Sequence, residues 1–475
     1  MAISFYECIH EGLLKNRDRD LLVWPEPFLA ARAYTGEAIL NRISAIRSEL
    51  SGAGLRQGQS VLLVMPVTFD LVCTLLAIMA MGAVPVLPPA ASSVRSLLYL
   101  AIRGDINGVI TQRKLPLPLS RLANRVGITL LSTEGIAPSS SWLPPQPVDP
   151  NQPALISHSS GSTGRAKPIR RSHRVLLAQH RALSDAFPPW PGQRDFPLFP
   201  NILLHNLATG TVSILPDLPN DITRMEPARI VEQILTQHVQ TLTGNVYYVR
   251  KLLQYAEEHS LTFPDVRALG IGGSPVPEPL AHSLKKVFVR SAIYVIYGSS
   301  EAEPIAIRPV GPEHSTPCAG YAVGTIHPAL RVRISTFGTL TISDGVSHEA
   351  GEIEVNGAHV ATDGNDWLRT GDFGYLDKHK HIFLTGRKGN ERIHRGIQHY
   401  QVEHVLLSVD GVERAAARST EQGFTLYIEG SAEEATLWKT LEANFPGEIF
   451  IRLCFRKKLP VDARHHSKIR YDQLG

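Results

Sequence analysis

The 475-residue chain has little cysteine: Cys8, Cys73, Cys318 and Cys454 are scattered, with no CxxC pair. That spacing excludes a disulfide scaffold and a thiolate-rich metal centre, so isolated reduced thiols are expected. Histidine is plentiful at 19 residues, but no HExxH or similar ligand pair occurs, and a structural metal site is not expected. An excess of one charge is also lacking. With 48 basic and 44 acidic residues the net charge is +4, and the dispersed cations leave no nucleic-acid footprint. Two local clusters, Arg170-Arg171 and Arg456-Lys457-Lys458, read either as phosphate or carrier contacts or as solvated faces. No apolar run is long enough to span a membrane unbroken. The uncharged stretch Leu71–Ala91 comes nearest, but Gly82, Pro85, Pro88 and Pro89 interrupt it. It predicts a buried helix over Phe69–Met81 and a short strand over Ala83–Leu87. Met1–Glu7 carries no basic region ahead of an apolar core, so no signal peptide and a cytoplasmic location are expected.

What is present fits a globular enzyme of two or three compact units, with 43% apolar and 19% charged residues. The first third alternates helix and strand. Ile39, Ile43, Ile46 and Leu50 share one helical face, and Gln59–Met65 reads as a buried strand. Strand, crossover helix and strand make a βαβ unit, with a second around Gly108–Thr111, so an α/β fold with parallel strands is predicted. Ser139–Pro153, rich in Ser and Pro, reads as an exposed connection. Ile293–Tyr297 is another buried strand. Beyond Arg387 the pattern changes to short strands (Val412–Arg418, Phe424–Glu429, Ile449–Phe455) and helices (Val402–Leu407, Ala432–Asn444). This predicts a small α+β unit over residues 388–475, following a large domain over 1–387.

The stretch Ser159-Ser160-Gly161-Ser162-Thr163-Gly164-Arg165-Ala166-Lys167 gathers two glycines, four hydroxyls and two cations. Glycines let backbone N–H groups approach an anion, and hydroxyls and cations add donors, so this is a candidate phosphate-wrapping loop. It lacks the Gly-Lys-Ser/Thr ending of the common P-loop. Read alone, it also suits a Ser/Gly surface linker. Further on, Gly272-Gly273-Ser274-Pro275, Tyr297-Gly298-Ser299-Ser300-Glu301, Arg369-Thr370-Gly371-Asp372 and Gly386-Arg387-Lys388 follow in that order. Near the C-terminus stands Pro460-Val461-Asp462-Ala463-Arg464-His465-His466-Ser467-Lys468-Ile469.

This series resembles the motifs TSGSTGxPK, GGAP, YGxTE, TGD, GRxD and the near-terminal lysine of the adenylate-forming superfamily: acyl-CoA synthetases, nonribosomal adenylation domains and luciferases. The resemblance covers nearly the whole chain. It implies a large multi-sheet N-terminal domain with a small mobile C-terminal lid. It also implies ATP-dependent, AMP-forming activation of a carboxylic acid, with Mg²⁺ and, in many relatives, CoA or an acyl carrier protein as the thiol. On that resemblance Ser159, Ser160, Gly161, Ser162, Thr163, Gly164 and Lys167 would cradle phosphate. Gly273, Ser274, Tyr297 and Gly298 would meet the adenine and acyl ends, with Ser300 keeping a hydroxyl where Thr is usual. Glu301 would hold the metal, Asp372 and Arg387 the ribose or phosphate, and Lys468 the developing charge at the α-phosphate. Gly389 replaces the usual hinge Asp or Lys, and Gln401 the usual Pro of the motif that contains Gly396 and Glu403. The segment Pro460–Ile469, with His466 for Asn, is similar to β-lactone synthetases of long-chain olefin pathways and related acyl-AMP ligases. Ile202–Leu207 and Val246–Val249 hint at a hydrophobic acyl pocket, or at plain core. A fatty or hydrophobic acid transferred to a thiol is the expected reaction. The rivals are closure on the substrate's own β-hydroxyl, release of the adenylate to a carrier or amine, and a non-catalytic nucleotide binder.

Overall fold

The computed structural model describes residues 4–26, 31–89, 92–114, 127–159, 167–219, 221–311, 316–342, 346–362, 366–462 and 466–474. The chain divides into two compact units, Met1–Asp217 with Ala361–Asp363, and Leu218–Val360 with Gly364–Gly475.

In the first unit a six-stranded sheet runs Thr129–Ser132, Gly108–Thr111, Ser60–Val64, Val84–Val86, Pro153–Ser159, Lys167–Ser172. Its first five strands are parallel and the last is antiparallel. Continuous apolar strands such as Ser60–Val64 suit a parallel sheet covered on both faces. The helix Phe69–Ala80 and strand Val84–Val86 fall where the broken apolar run predicts them. Thr68 caps that helix by accepting from Leu71 N–H at 3.3 Å, and Asp70 in its first turn forms a bidentate pair with Arg42 at 2.9 and 3.0 Å. Ile39, Ile43, Ile46 and Leu50 pack from helix Gly36–Gly52 against Cys73, Leu76 and Ala80 in one core. Leu203, Leu204 and Leu207 of helix Pro200–Thr209 join this same core, which accounts for their apolar character without an acyl pocket. The Ser/Pro-rich connection is strapped down: Ser44 Oγ accepts from Leu143 N–H at 2.9 Å, and Ala80 O from Gln146 N–H at 3.0 Å.

In the second unit nine strands pair in the order Leu330–Thr341, Ser347–Gly357, Leu368–Leu376, His381–Arg387, Tyr321–Ile326, Ala306–Pro309, Ala292–Tyr297, Ala268–Gly272, Thr241–Asn245. The last three are parallel to one another and the rest antiparallel. Residues beyond Arg387 build a separate three-stranded sheet, Val412–Ser419, Phe424–Gly430 and Phe450–Phe455. Helices His399–Leu406 and Glu434–Asn444 cover it, the first starting three residues earlier than predicted. Apolar side chains from both helices, among them Val402, Leu406, Leu437 and Leu441, meet Phe424 and Leu426 in its core.

Candidate active site

Three parallel strands set the frame. Asn245, Gly272 and Ile296 lie side by side in register, so their carboxyl ends form one edge, where ligands of α/β sheets bind. Gly272 is obligatory, since a Cβ there would sit 2.4 Å from the Ile296 carbonyl oxygen. Gly273 turns the chain at φ 79°, and the Ser274 hydroxyl that follows is buried with no hydrogen-bond partner among the described residues. A buried, unpaired hydroxyl at such an edge is suited to a ligand. On the neighbouring strand, Asn245 caps helix Val246–Glu258 by accepting from Tyr248 N–H at 2.8 Å.

Tyr297 ends the third strand with its ring buried, and its hydroxyl donates to Asp372 Oδ2 at 3.0 Å. Asp372 faces Arg387 across the antiparallel pair Leu368–Leu376 and His381–Arg387, and Arg387 Nη1 donates to Asp372 Oδ1. Two of the sequence-predicted residues thus converge on the carboxylate of a third. The Asp372 charge holds Arg387 firmly protonated, and burial pushes the Tyr297 hydroxyl well up, so it remains a donor. The turn bearing Asp372 is braced from behind. Thr370 Oγ1 donates to Ile353 O at 2.9 Å and accepts from Asp372 N–H at 3.1 Å, while Gly371 N–H, at φ 73°, reaches Glu352 Oε1 at 3.2 Å. Glu352 and Tyr400, the latter buried and in the field of Asp372 and Arg387, are members the sequence did not mark, because no spacing links them to the motif.

Beyond Tyr297, Gly298 and Ser299 lead into a turn closed by Ser299 N–H to Ala302 O at 2.8 Å, with Ser300 and a half-buried Glu301 inside it. Magnesium is commonly held by one or two carboxylates together with substrate phosphates. Among the described residues no group of three or more His, Cys, Asp or Glu gathers to hold a metal alone. Glu301 fits the shared kind of site.

Lys468 is exposed, in a turn built on Asp462. Asp462 N–H donates to Lys468 O at 2.9 Å, and Asp462 Oδ1 accepts from Lys468 N–H at 3.0 Å. Within this turn His466 takes φ 49°, a region that Asn and His enter more readily than other side chains. Its ring lies 5.8 Å from that of Tyr247, in the first turn of helix Val246–Glu258, so the Lys468 turn meets the carboxyl edge of the parallel strands. Gly396, at φ 82°, instead packs on Thr341, whose N–H donates to Gly396 O at 2.9 Å. Glu403 is buried, and its Oε1 accepts from Ala417 N–H at 2.9 Å and Tyr471 Oη at 2.7 Å; burial pushes its carboxyl up to about 8. Ser159 closes one strand and an exposed Lys167 opens the next, paired in register as the two ends of a hairpin. Ser160, Gly161, Ser162, Thr163 and Gly164 lie outside the described residues.

Fold and motif series together define an AMP-forming ligase of the adenylate-forming superfamily. The chain belongs to the AMP-binding enzyme family, whose profile matches residues 13–363. It is 25% identical to the olefin beta-lactone synthetase of Stenotrophomonas maltophilia, over 91% of this chain and 89% of that one. Its fold is that of the amide bond synthetase McbA from Marinactinospora thermotolerans, with TM-score 0.81, 17% identity and 99% of each chain covered. The O-succinylbenzoate coenzyme A synthetase MenE of Bacillus subtilis, in complex with ATP and magnesium ion, superposes with TM-score 0.78 at 17% identity over 99% of each chain. No helix among the described residues is long and apolar enough to cross a membrane.

Proposed function

We propose that this enzyme activates a hydrophobic carboxylic acid with ATP, releasing pyrophosphate and holding an acyl adenylate. The observation that carries the reading is the meeting of Tyr297, Asp372 and Arg387 beside the edge that the Lys468 turn also reaches. Asp372 accepts from the ribose hydroxyls, and Arg387 supports ribose or phosphate as a charged donor. Ser159–Lys167 cradles the β- and γ-phosphates. Glu301 would hold Mg²⁺, whose charge would offset that of the phosphate oxygens. The substrate carboxylate attacks the α-phosphorus, the bond to the bridging oxygen breaks and pyrophosphate leaves. Lys468 lies between the two anions and stabilises the charge that develops.

Residues 388–475 then turn as a lid about Gly389, withdrawing Lys468 and presenting Gly396. A thiol of CoA or of a carrier protein attacks the acyl carbon and AMP leaves. A second reading, attack by the substrate's own β-hydroxyl to close a β-lactone, is favoured by the likeness to an olefin beta-lactone synthetase over nearly the full length of both chains.

Pyrophosphate release with ATP–Mg²⁺ and a panel of carboxylic acids tests the first step, and release with none of them would leave a nucleotide binder. Repeating the assay with and without CoA, and with a β-hydroxy fatty acid followed by mass spectrometry, separates thioester, lactone and free adenylate.

A further inference from the structure

Every residue of helix His399–Leu406 is buried, although only one face serves the core of the three-stranded sheet. Its other face carries polar side chains into residues 317–321. Gln401 is fully buried: its Nε2 donates to the Cys318 carbonyl at 2.8 Å, and its Oε1 accepts from Gln398 N–H at 2.9 Å. His404 is equally buried, with Nδ1 3.0 Å from the Gly320 carbonyl oxygen and Nε2 3.2 Å from Glu278 N–H. A carbonyl can only accept and an amide N–H can only donate, so the imidazole is neutral with its proton on Nδ1. Tyr321 stacks on His404 at 4.4 Å and 20°, and meets Tyr400 edge-on at 5.4 Å. The Cys318 side chain is inserted into the core formed by Ile397, Val402 and Val405.

Apolar contact alone would hold this helix loosely in register, because it has no directionality. The three hydrogen bonds to Cys318, Gly320 and Glu278 are angular, and all three reach outside residues 388–475. They connect to the reacting end through the same segment: Glu403 on this helix accepts from Tyr471, three residues after Lys468.

We propose that Gln401 and His404 are positioning residues, which hold residues 388–475 in the one arrangement that presents Lys468 to the carboxyl edge, and whose bonds must break before that segment turns. This rests on the reading of residues 388–475 as a moving lid. Loosening the two residues lowers adenylate formation through Lys468 and leaves nucleotide binding by Asp372 and Arg387 in place.

The test uses the full chain with His404→Phe and Gln401→Met, each of which conserves volume and removes the bonds to residues 278–320. In the unliganded protein, hydrogen–deuterium exchange is expected to speed up about tenfold in 316–321 and 399–406 and to stay unchanged in the strand 424–430. Steady-state ATP–pyrophosphate exchange with an accepted acid should show kcat down about tenfold and KM for ATP within about twofold. Unchanged exchange at 316–321 in both variants would overturn the proposal. Lost protection in 424–430 would do so as well, because the residues would then maintain the small sheet and not its position. Absence of any pyrophosphate exchange in the unmodified enzyme would sink the adenylation reading alone, and the deuterium measurement would still decide on positioning.

Discussion

At Asp372 each carboxylate oxygen has its own donor, Tyr297 on Oδ2 and Arg387 on Oδ1. Asp372→Asn would turn one acceptor into a donor facing a donor, which costs more than a lost bond. Affinity for ATP is expected to fall by about tenfold or more in titration calorimetry, and unchanged affinity would remove Asp372 from the nucleotide site. Lys468→Ala should act differently. Pyrophosphate release is expected to drop on the order of 10²-fold while ATP still binds, because the charge is needed only as the reaction proceeds. Equal release by the variant would disprove that role. The sequence marked both residues as candidates, since each stands in a motif of fixed offsets. Glu352 was not marked, because it reaches Gly371 N–H only through the pairing of Ser347–Gly357 with Leu368–Leu376.

Among the elements, two glycines of the proposed lid differ in what constrains them. Gly389 has φ 94°, but a Cβ there would meet nothing within 4 Å among the described residues. Gly396 has φ 82°, and its Cβ would lie 2.7 Å from Thr341 Oγ1 and 3.1 Å from Thr341 N. Gly389→Ala therefore carries only the backbone cost of about 1 kcal/mol, whereas Gly396→Ala adds a steric clash worth about 1–3 kcal/mol more. Urea unfolding should rank them in that order, and equal midpoints would contradict the difference. The apolar run of residues 71–91 was readable as helix and strand because glycine and prolines punctuate it. The early start of helix His399–Leu406 was not. Gln398 and Gln401 fix it with a side-chain bond that leaves no mark on apolar periodicity.

For the whole molecule, buried neutral histidines govern acid stability. Burial pulls His173 and His404 down to about 4 and His205 and His399 down to about 3, from an ordinary 6.5. Glu278 and Arg308 face His404, and His180 faces His205. The unfolded chain takes up these protons first. Stability is therefore greatest above pH 6.5 and is lost as pH falls from there toward 4, at roughly 1 kcal/mol per pH unit for each histidine. Glu403 runs the other way: its carboxyl, raised to about 8, stabilises fully below 4.5, and that contribution is lost as pH rises through 8. Urea midpoints at pH 7 and pH 5.5 should differ clearly, with a smaller difference in His205→Gln; a flat profile would refute the account. The sequence by itself determined the first βαβ elements, the small α+β segment after Arg387, the order of the motifs and the family, because local periodicity and short spacings carry that information. Tertiary structure alone decided that Tyr297 and Arg387 share one carboxylate, that the Lys468 turn lies beside Tyr247, and that Gln401 and His404 reach Cys318, Gly320 and Glu278. Those contacts join residues tens to hundreds of positions apart, and a hydrogen bond at 3 Å has no counterpart in spacing along the chain.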